Sequence, residues 1–194
     1  MWIQTYTGRK FWPLFPHESD VCIEDIAHAL AMKCRYNGHC LRFLSIAQHS
    51  VMVSAMVPAS DALWGLLHDA AEAYLPGVMR PIKGAICVAY GHDQTIRSFN
   101  VIEHAILTAV AHHFGLGRMP PTITPADLCC LERERRQFMV NPPEESSTAK
   151  FWDGDTTPIE SWTPERAERE FLARFASLAD AAERLEEEVR RAKT

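Results

Sequence analysis

The sequence has no excess of positive charge, no long apolar run and no paired-cysteine motif. Its 20 Lys and Arg against 25 Asp and Glu leave a net charge of −5. That balance disfavours a nucleic acid as the main partner, because gripping a phosphate backbone needs a basic surface. It leaves room for a local cationic pocket that takes a small phosphate ester. No stretch approaches the roughly 18 consecutive apolar residues of a membrane-spanning helix, so no membrane partner is expected. The opening MWIQTYTGRKFWPLFP lacks a basic region followed by a continuous apolar one, which argues against a secretory signal. Cys22, Cys34, Cys40, Cys87, Cys129 and Cys130 form no C-x-x-C pair, which speaks against a zinc ribbon. They read as reduced, buried thiols of a cytoplasmic protein.

What is present is an ordinary globular composition over 194 residues, enough for one domain that needs no disulfide or structural metal to fold. Helical periodicity dominates from residue 23. IEDIAHALAMKCRY (23–36) carries apolar residues at 23, 26, 27, 30 and 31, the stripe of an amphipathic helix. SIAQHSVMVSAMV (45–57) opens with Ser45 and Gln48 in capping-box spacing and stops before Pro58. SDALWGLLHDAAEAY (60–74) starts at a Ser cap and ends ahead of Pro76-Gly77. A helical region over about 82–114, broken near Gly91, follows. TPAD (124–127) and TPER (163–166) each put Thr at an N-cap and Pro at the first helical position. Residues 141–160 read as a loop and about 164–191 as a charged amphipathic helix. Strand is hinted at only in the first 20 residues, as a small N-terminal β-hairpin turning at Thr7-Gly8. The expected class is all-α, in a single domain over 1–194 with its core at about 20–140. The apolar face Phe171, Leu172, Phe175 and Leu178 of the last helix fits packing within one chain or between subunits of a homo-oligomer.

The helix expected over 60–74 is apolar almost all round, so it should be buried. Its charged residues then need partners, since an unpaired buried carboxylate is costly. At about 100° per residue, Glu72 lies about 40° from His68 and about 60° from Asp69, which points all three into one sector. A divalent cation would satisfy that sector, because neutral imidazole and carboxylate suit zinc, cobalt, manganese or iron. The remaining ligands must come from other helices, and His49 and Asp127 are candidates. Taken singly each has a plainer reading: His49 as a core histidine, Asp127 as a carboxylate at its own helix start.

The pattern H…HD…D, with the strings SIAQHSVMVS, LLHDAAEAY, RPIK and TPADLCCLERE, resembles the HD-domain metal-dependent phosphohydrolases. It is most similar to small members that include bacterial 5′-deoxynucleotidases and phage dATP triphosphohydrolases. The resemblance covers about residues 20–140. It implies an HD-domain helical bundle in which His49, His68, Asp69 and Asp127 hold the metal and Glu72 is the catalytic carboxylate. It also implies a zinc, cobalt or manganese ion, with magnesium at a second site, and location in a host cytoplasm were the gene a phage's. Arg35 and Tyr36 match an Arg-aromatic pair that precedes the first His in those nucleotidases; Arg35 would contact phosphate or base and Tyr36 would stack on the base. Pro81 would shape the base pocket and Lys83 would meet the phosphate tail. The monophosphate-cleaving relatives carry an Asp where this chain has Gly77.

The activity implied is hydrolysis of a deoxynucleotide, with dATP triphosphohydrolase ahead of 5′-deoxynucleotidase. A nucleotide-binding HD domain without turnover is the alternative from another class. An oxygenase would need a second iron, for which Glu103 and His104 are nominal ligands without supporting spacing.

Overall fold

The computed structural model describes residues 1–91, 94–141 and 147–192, with side chains in the last helix described through Ala181 and at Arg184. The chain is mostly helical. A hairpin of β1 (Ile3–Gln4) and β2 (Lys10–Phe11) comes first, then α1 (Ile23–Met32), α2 (Ile46–Met56) and α3 (Ala62–Leu67). A one-turn α4 (Arg80–Lys83) leads into a second hairpin, β3 (Cys87–Tyr90) with β4 (Thr95–Ser98). The helices α5 (Phe99–His113), α6 (Ile123–Phe138) and α7 (Pro164–Ala192) complete the order.

The N-terminal hairpin forms as expected, with Ile3 opposite Phe11 and Gly8 at φ 84° in its turn. It is pinned to α1 by Thr7, whose amide and hydroxyl both donate to the buried Asp25 carboxylate at 2.7 and 3.0 Å. Phe11, fully buried, stacks on Tyr74 at 3.7 Å and so fixes the chain just beyond Glu72.

Three expectations need correction. The helix expected over 82–114 is instead α4, the second hairpin and α5, so the fold is mostly α rather than all-α. CVAY alternates exposed and half-buried positions, the period of a strand rather than of a helix, and pairs with TIRS in a four-pair antiparallel ladder. Ser98 then caps α5 by accepting from the Val101 amide. Second, α6 starts at Ile123, so Thr124 lies inside the helix and Thr122, whose hydroxyl donates to Asp61 at 2.6 Å, stands before it. At α7 the expectation holds: Thr163 accepts from the Arg166 amide and Pro164 is the first helical residue. Third, residues 60–74 are not one helix. A turn precedes α3, and His68-Asp69 separate α3 from a 3-10 turn over Ala70–Ala73. Of the loop expected over 141–160, residues 142–146 lie outside the described ones.

The close approach of α2 and α3 positions the site. A Cβ on Gly65 would meet the Ser54 Cα at 2.8 Å, so only glycine lets the two backbones lie this near. Ser54 donates to the Ala62 carbonyl at 2.7 Å across the same contact. Along the other side runs α7: Phe171 is fully buried, and Leu172, Phe175 and Leu178 pack against the main core of this same chain. That apolar face is therefore covered from within. It gives no support to subunit packing.

Candidate metal centre

His49 stands on α2, one turn after the Ser45 cap, where Ser45 accepts from the Gln48 amide at 3.0 Å. Gln48 does not return the capping-box bond. Its side chain instead grips the returning chain, donating to the Glu160 carbonyl at 2.5 Å and accepting from the Trp162 amide at 3.0 Å. His68 and Asp69 leave the end of α3, where Asp69 has φ −99° and ψ 11°, the sparsely used bridge between helix and strand. Asp127 projects from the second turn of α6.

These four residues, drawn from three segments, converge. His49 Nε2 lies 3.3 Å from His68 Nε2, 3.2 Å from Asp127 Oδ1 and 3.8 Å from Asp69 Oδ2. His68 Nε2 lies 3.4 Å from Asp69 Oδ2. The far nitrogens are both engaged. His68 Nδ1 faces the Gly65 carbonyl at 2.8 Å, and His49 Nδ1 faces Glu134 Oε1 at 2.7 Å. Each Nδ1 must donate to its oxygen, so the neutral rings point their Nε2 lone pairs inward at each other and at two carboxylates. Four electron-rich atoms so placed repel unless a cation lies among them, and this donor set suits a first-row divalent metal. The residues present fit the metal.

Electrostatics point the same way. Burial and the Arg35 guanidinium oppose a proton on His49. The carboxylates of Glu134 and Asp127 overcome them and hold the imidazole well above its ordinary range. The Asp127 carboxyl is pushed up by burial, yet His49 and His68 pull it far below the usual carboxylate range.

Glu134 is a component that the sequence reading missed. It is fully buried on α6, where it accepts from Arg35 Nε and the Tyr36 hydroxyl, both at 2.8 Å, besides His49. Burial would raise its carboxyl, but Arg35 and His49 bring it down to about 2. A carboxylate behind a ligating imidazole fixes the tautomer and raises ligand basicity. The spacing Asp127, Cys130, Glu134 is one helical stripe, a signal that TPADLCCLERE carried. His49, Cys130 and Glu134 also bring ligand atoms within 4.8 Å of one another. Burial pushes the Cys130 thiol up to about 11, however, and the Glu134 oxygens are already taken, so that grouping is a poor metal site.

The residues expected to bind substrate are placed unevenly. Arg35 and Tyr36 serve Glu134, and Arg35 Nη1 also lies 3.7 Å from Asp69 Oδ2. They are held by a left-handed turn, with φ of 56° at Tyr36, 53° at Asn37 and 82° at Gly38. Such backbone in a tyrosine costs about 1–3 kcal/mol and persists only where the surroundings enforce it. Pro81, exposed, is the second residue of α4; Lys83 ends it, bonded to Glu103 at 2.5 Å. Arg80, which had no expected role, donates to Asp127 Oδ2 at 2.9 Å. Glu72 follows the His68-Asp69 turn. Burial and the Asp69 carboxylate push its carboxyl up to about 7 against the pull of Lys83 and Arg35. Glu103 is taken by Lys83 and His104 is exposed, so neither joins the cluster.

The chain is 34% identical over 140 residues, 70% of its length and 71% of the relative's, to Uncharacterized protein YfdR of Escherichia coli K12. The chain belongs to the YfdR family. An uncharacterized protein of Rhodobacter capsulatus is 32% identical over 136 residues, 66% of this chain and 63% of that one. No protein-family model matches the chain. About two thirds of this YfdR-family chain aligns with these relatives. No helix among the described residues is long and apolar enough to cross a membrane.

Proposed function

We propose that the chain is a metal-dependent phosphohydrolase of the HD type acting on deoxynucleotides in the cytoplasm, with deoxynucleoside triphosphates, dATP first, ahead of monophosphates. The observation that carries this reading is the inward facing of two Nε2 lone pairs, 3.3 Å apart, beside the carboxylates of Asp69 and Asp127. His49, His68, Asp69 and Asp127 would hold the ion, zinc, cobalt or manganese. When bound, it would supply a more acidic water and neutralise charge on a phosphoryl oxygen.

The chain's own groups do the rest. Glu72, held up to about 7 by burial and the Asp69 carboxylate, would accept a proton from the attacking water and return it to the leaving oxygen near neutral pH. Glu134 and the Gly65 carbonyl keep both imidazoles in the ligating tautomer. Arg35 stays charged between Glu134 and Asp69 and offsets the carboxylates around the site. On a triphosphate, water adds at the α-phosphorus and the bond to the 5′-oxygen breaks, giving deoxynucleoside and triphosphate. Gly77, in open space where monophosphate-cleaving relatives carry Asp, supports that choice.

Arg35 favours a second reading. Its engagement by Glu134 leaves fewer cations for a phosphate chain, which keeps 5′-deoxynucleotidase in view. Product analysis of the metal-loaded protein with dATP, dGTP and dAMP separates the two. Free triphosphate from dATP is expected; orthophosphate from dAMP at a higher rate would shift the assignment to the nucleotidase. No phosphate product from any of them would reduce the chain to a binding domain.

A further inference from the structure

Arg80 lies on α4, and its guanidinium donates to Asp127 Oδ2 at 2.9 Å while Asp127 Oδ1 faces His49. Its side chain is 64% exposed, against 17% for Asp127. The other cations around the cluster are held more firmly. Arg35 is 12% exposed and bonded to the fully buried Glu134. Lys83 is 23% exposed and bonded to Glu103. Of the three cations, Arg80 has the most exposed side chain, and its bond is to a candidate metal-ligand carboxylate.

That arrangement sets two cations in competition for one carboxylate. A divalent ion drawing on Asp127 lowers the charge left for Arg80 and adds positive charge beside the guanidinium. An exposed ion pair is worth only about 0–1 kcal/mol, so little holds Arg80 in place once the ion arrives. The freed guanidinium, at the mouth of the cluster, would then meet whatever anion occupies it, and its planar fork matches two phosphoryl oxygens.

We propose that Arg80 is an exchange residue: it neutralises Asp127 in the metal-free protein and, once metal is bound, turns to grip the phosphoryl group of the substrate. This rests on the metal-dependent phosphohydrolase reading and adds a substrate-binding residue to it. A purely positioning role, with Arg80 orienting Asp127 for the metal, makes the opposite prediction for metal affinity.

The test uses the chelator-stripped full chain, titrated with Co²⁺ and followed by cobalt absorption in the visible. The cobalt-loaded protein is then titrated with inorganic phosphate. For Arg80→Ala we expect Co²⁺ affinity to rise about three- to fivefold as the competing pair is lost, and phosphate affinity to fall about tenfold as a charged hydrogen bond disappears. Arg80→Lys should lie between wild type and Ala in both titrations, and matched circular dichroism would show that the variants fold. Weaker Co²⁺ binding by Arg80→Ala would assign Arg80 to positioning and overturn the exchange, as would unchanged affinity for either ligand. Wild-type protein that binds no Co²⁺ would sink the metal reading itself, a failure distinct from that of Arg80.

Discussion

Replacing Glu134 by Gln tests the metal centre from behind, without touching a ligand. Two donors meet at Glu134 Oε2, from Arg35 Nε and the Tyr36 hydroxyl, each at 2.8 Å. A third, His49 Nδ1, meets Oε1 at 2.7 Å. An amide has one oxygen where the carboxylate has two acceptors. If that oxygen stays with Arg35 and Tyr36, the NH₂ group faces His49 Nδ1, which must then accept. The ring proton moves to Nε2 and the lone pair aimed into the cluster is lost. If the amide flips, its NH₂ group confronts the charged Arg35 guanidinium, which has no acceptor to offer.

Either way the variant loses a buried charge-assisted hydrogen bond, worth about 1.5–3 kcal/mol. Glu134→Ala, which leaves Arg35 buried without its partner, should cost more, about 3–5 kcal/mol. Loss of the carboxylate behind a ligating histidine lowers metal affinity about 10–100-fold. Urea unfolding of the metal-free protein reads the first quantity and Co²⁺ titration the second. Tyr36→Phe is the control: it removes one donor from Oε2 but leaves His49 untouched, so stability should drop by about 1 kcal/mol with metal affinity unchanged. Glu134→Gln with wild-type Co²⁺ affinity and a midpoint within error of wild type would refute the reasoning, since Glu134 Oε1 is the oxygen that accepts from His49 Nδ1.

Glu72→Gln should retain the metal, measured by elemental analysis, and lower kcat about 10²–10⁴-fold; loss of metal instead would make Glu72 a ligand. Gly65→Ala should destabilise the protein by about 1–3 kcal/mol, because its Cβ would lie 2.8 Å from the Ser54 backbone. It should also weaken metal binding by parting α2 from α3, and a Tm equal to wild type would contradict that packing. Glu134 is held down to about 2 from an ordinary 4.5, so it stabilises the fold above about pH 4.5 and loses that contribution as pH falls toward 2. Acid unfolding of wild type should therefore be steeper below pH 4.5 than that of Glu134→Gln, and parallel curves would count against it. Lys83→Ala should raise KM for a triphosphate far more than for a monophosphate if Lys83 leaves Glu103 for the distal phosphates; equal effects would leave it a structural partner of Glu103.

The candidate ligands were legible because each announces itself locally. His49 follows a Ser cap, His68-Asp69 interrupt an apolar run, and Asp127 opens an amphipathic helix. Their meeting depends on Gly65, a residue whose importance lies in what is missing. The apolar periodicity of 60–74 does not reveal that His68 Nδ1 binds the Gly65 carbonyl, a helical acceptor claimed by a side chain, after which Asp69 leaves helical geometry. That departure brings its carboxylate to 3.4 Å from His68 Nε2, which the face of a regular helix was only an approximation to. Glu134 was hidden for a different reason. In LERERR it sits in a run of alternating charges, the usual mark of a solvated helix face, yet Glu132 and Glu134 are both fully buried. Two arginines from α6, Arg135 and Arg136, satisfy Glu132 at 2.8 and 2.9 Å. Arg35, from a left-handed turn 99 residues away, satisfies Glu134. One glutamate in the run is paired by its own helix and the other by the turn before α2. Only the second can orient a histidine, and the one cue that sets it apart is its place on the helical stripe of Asp127 and Cys130.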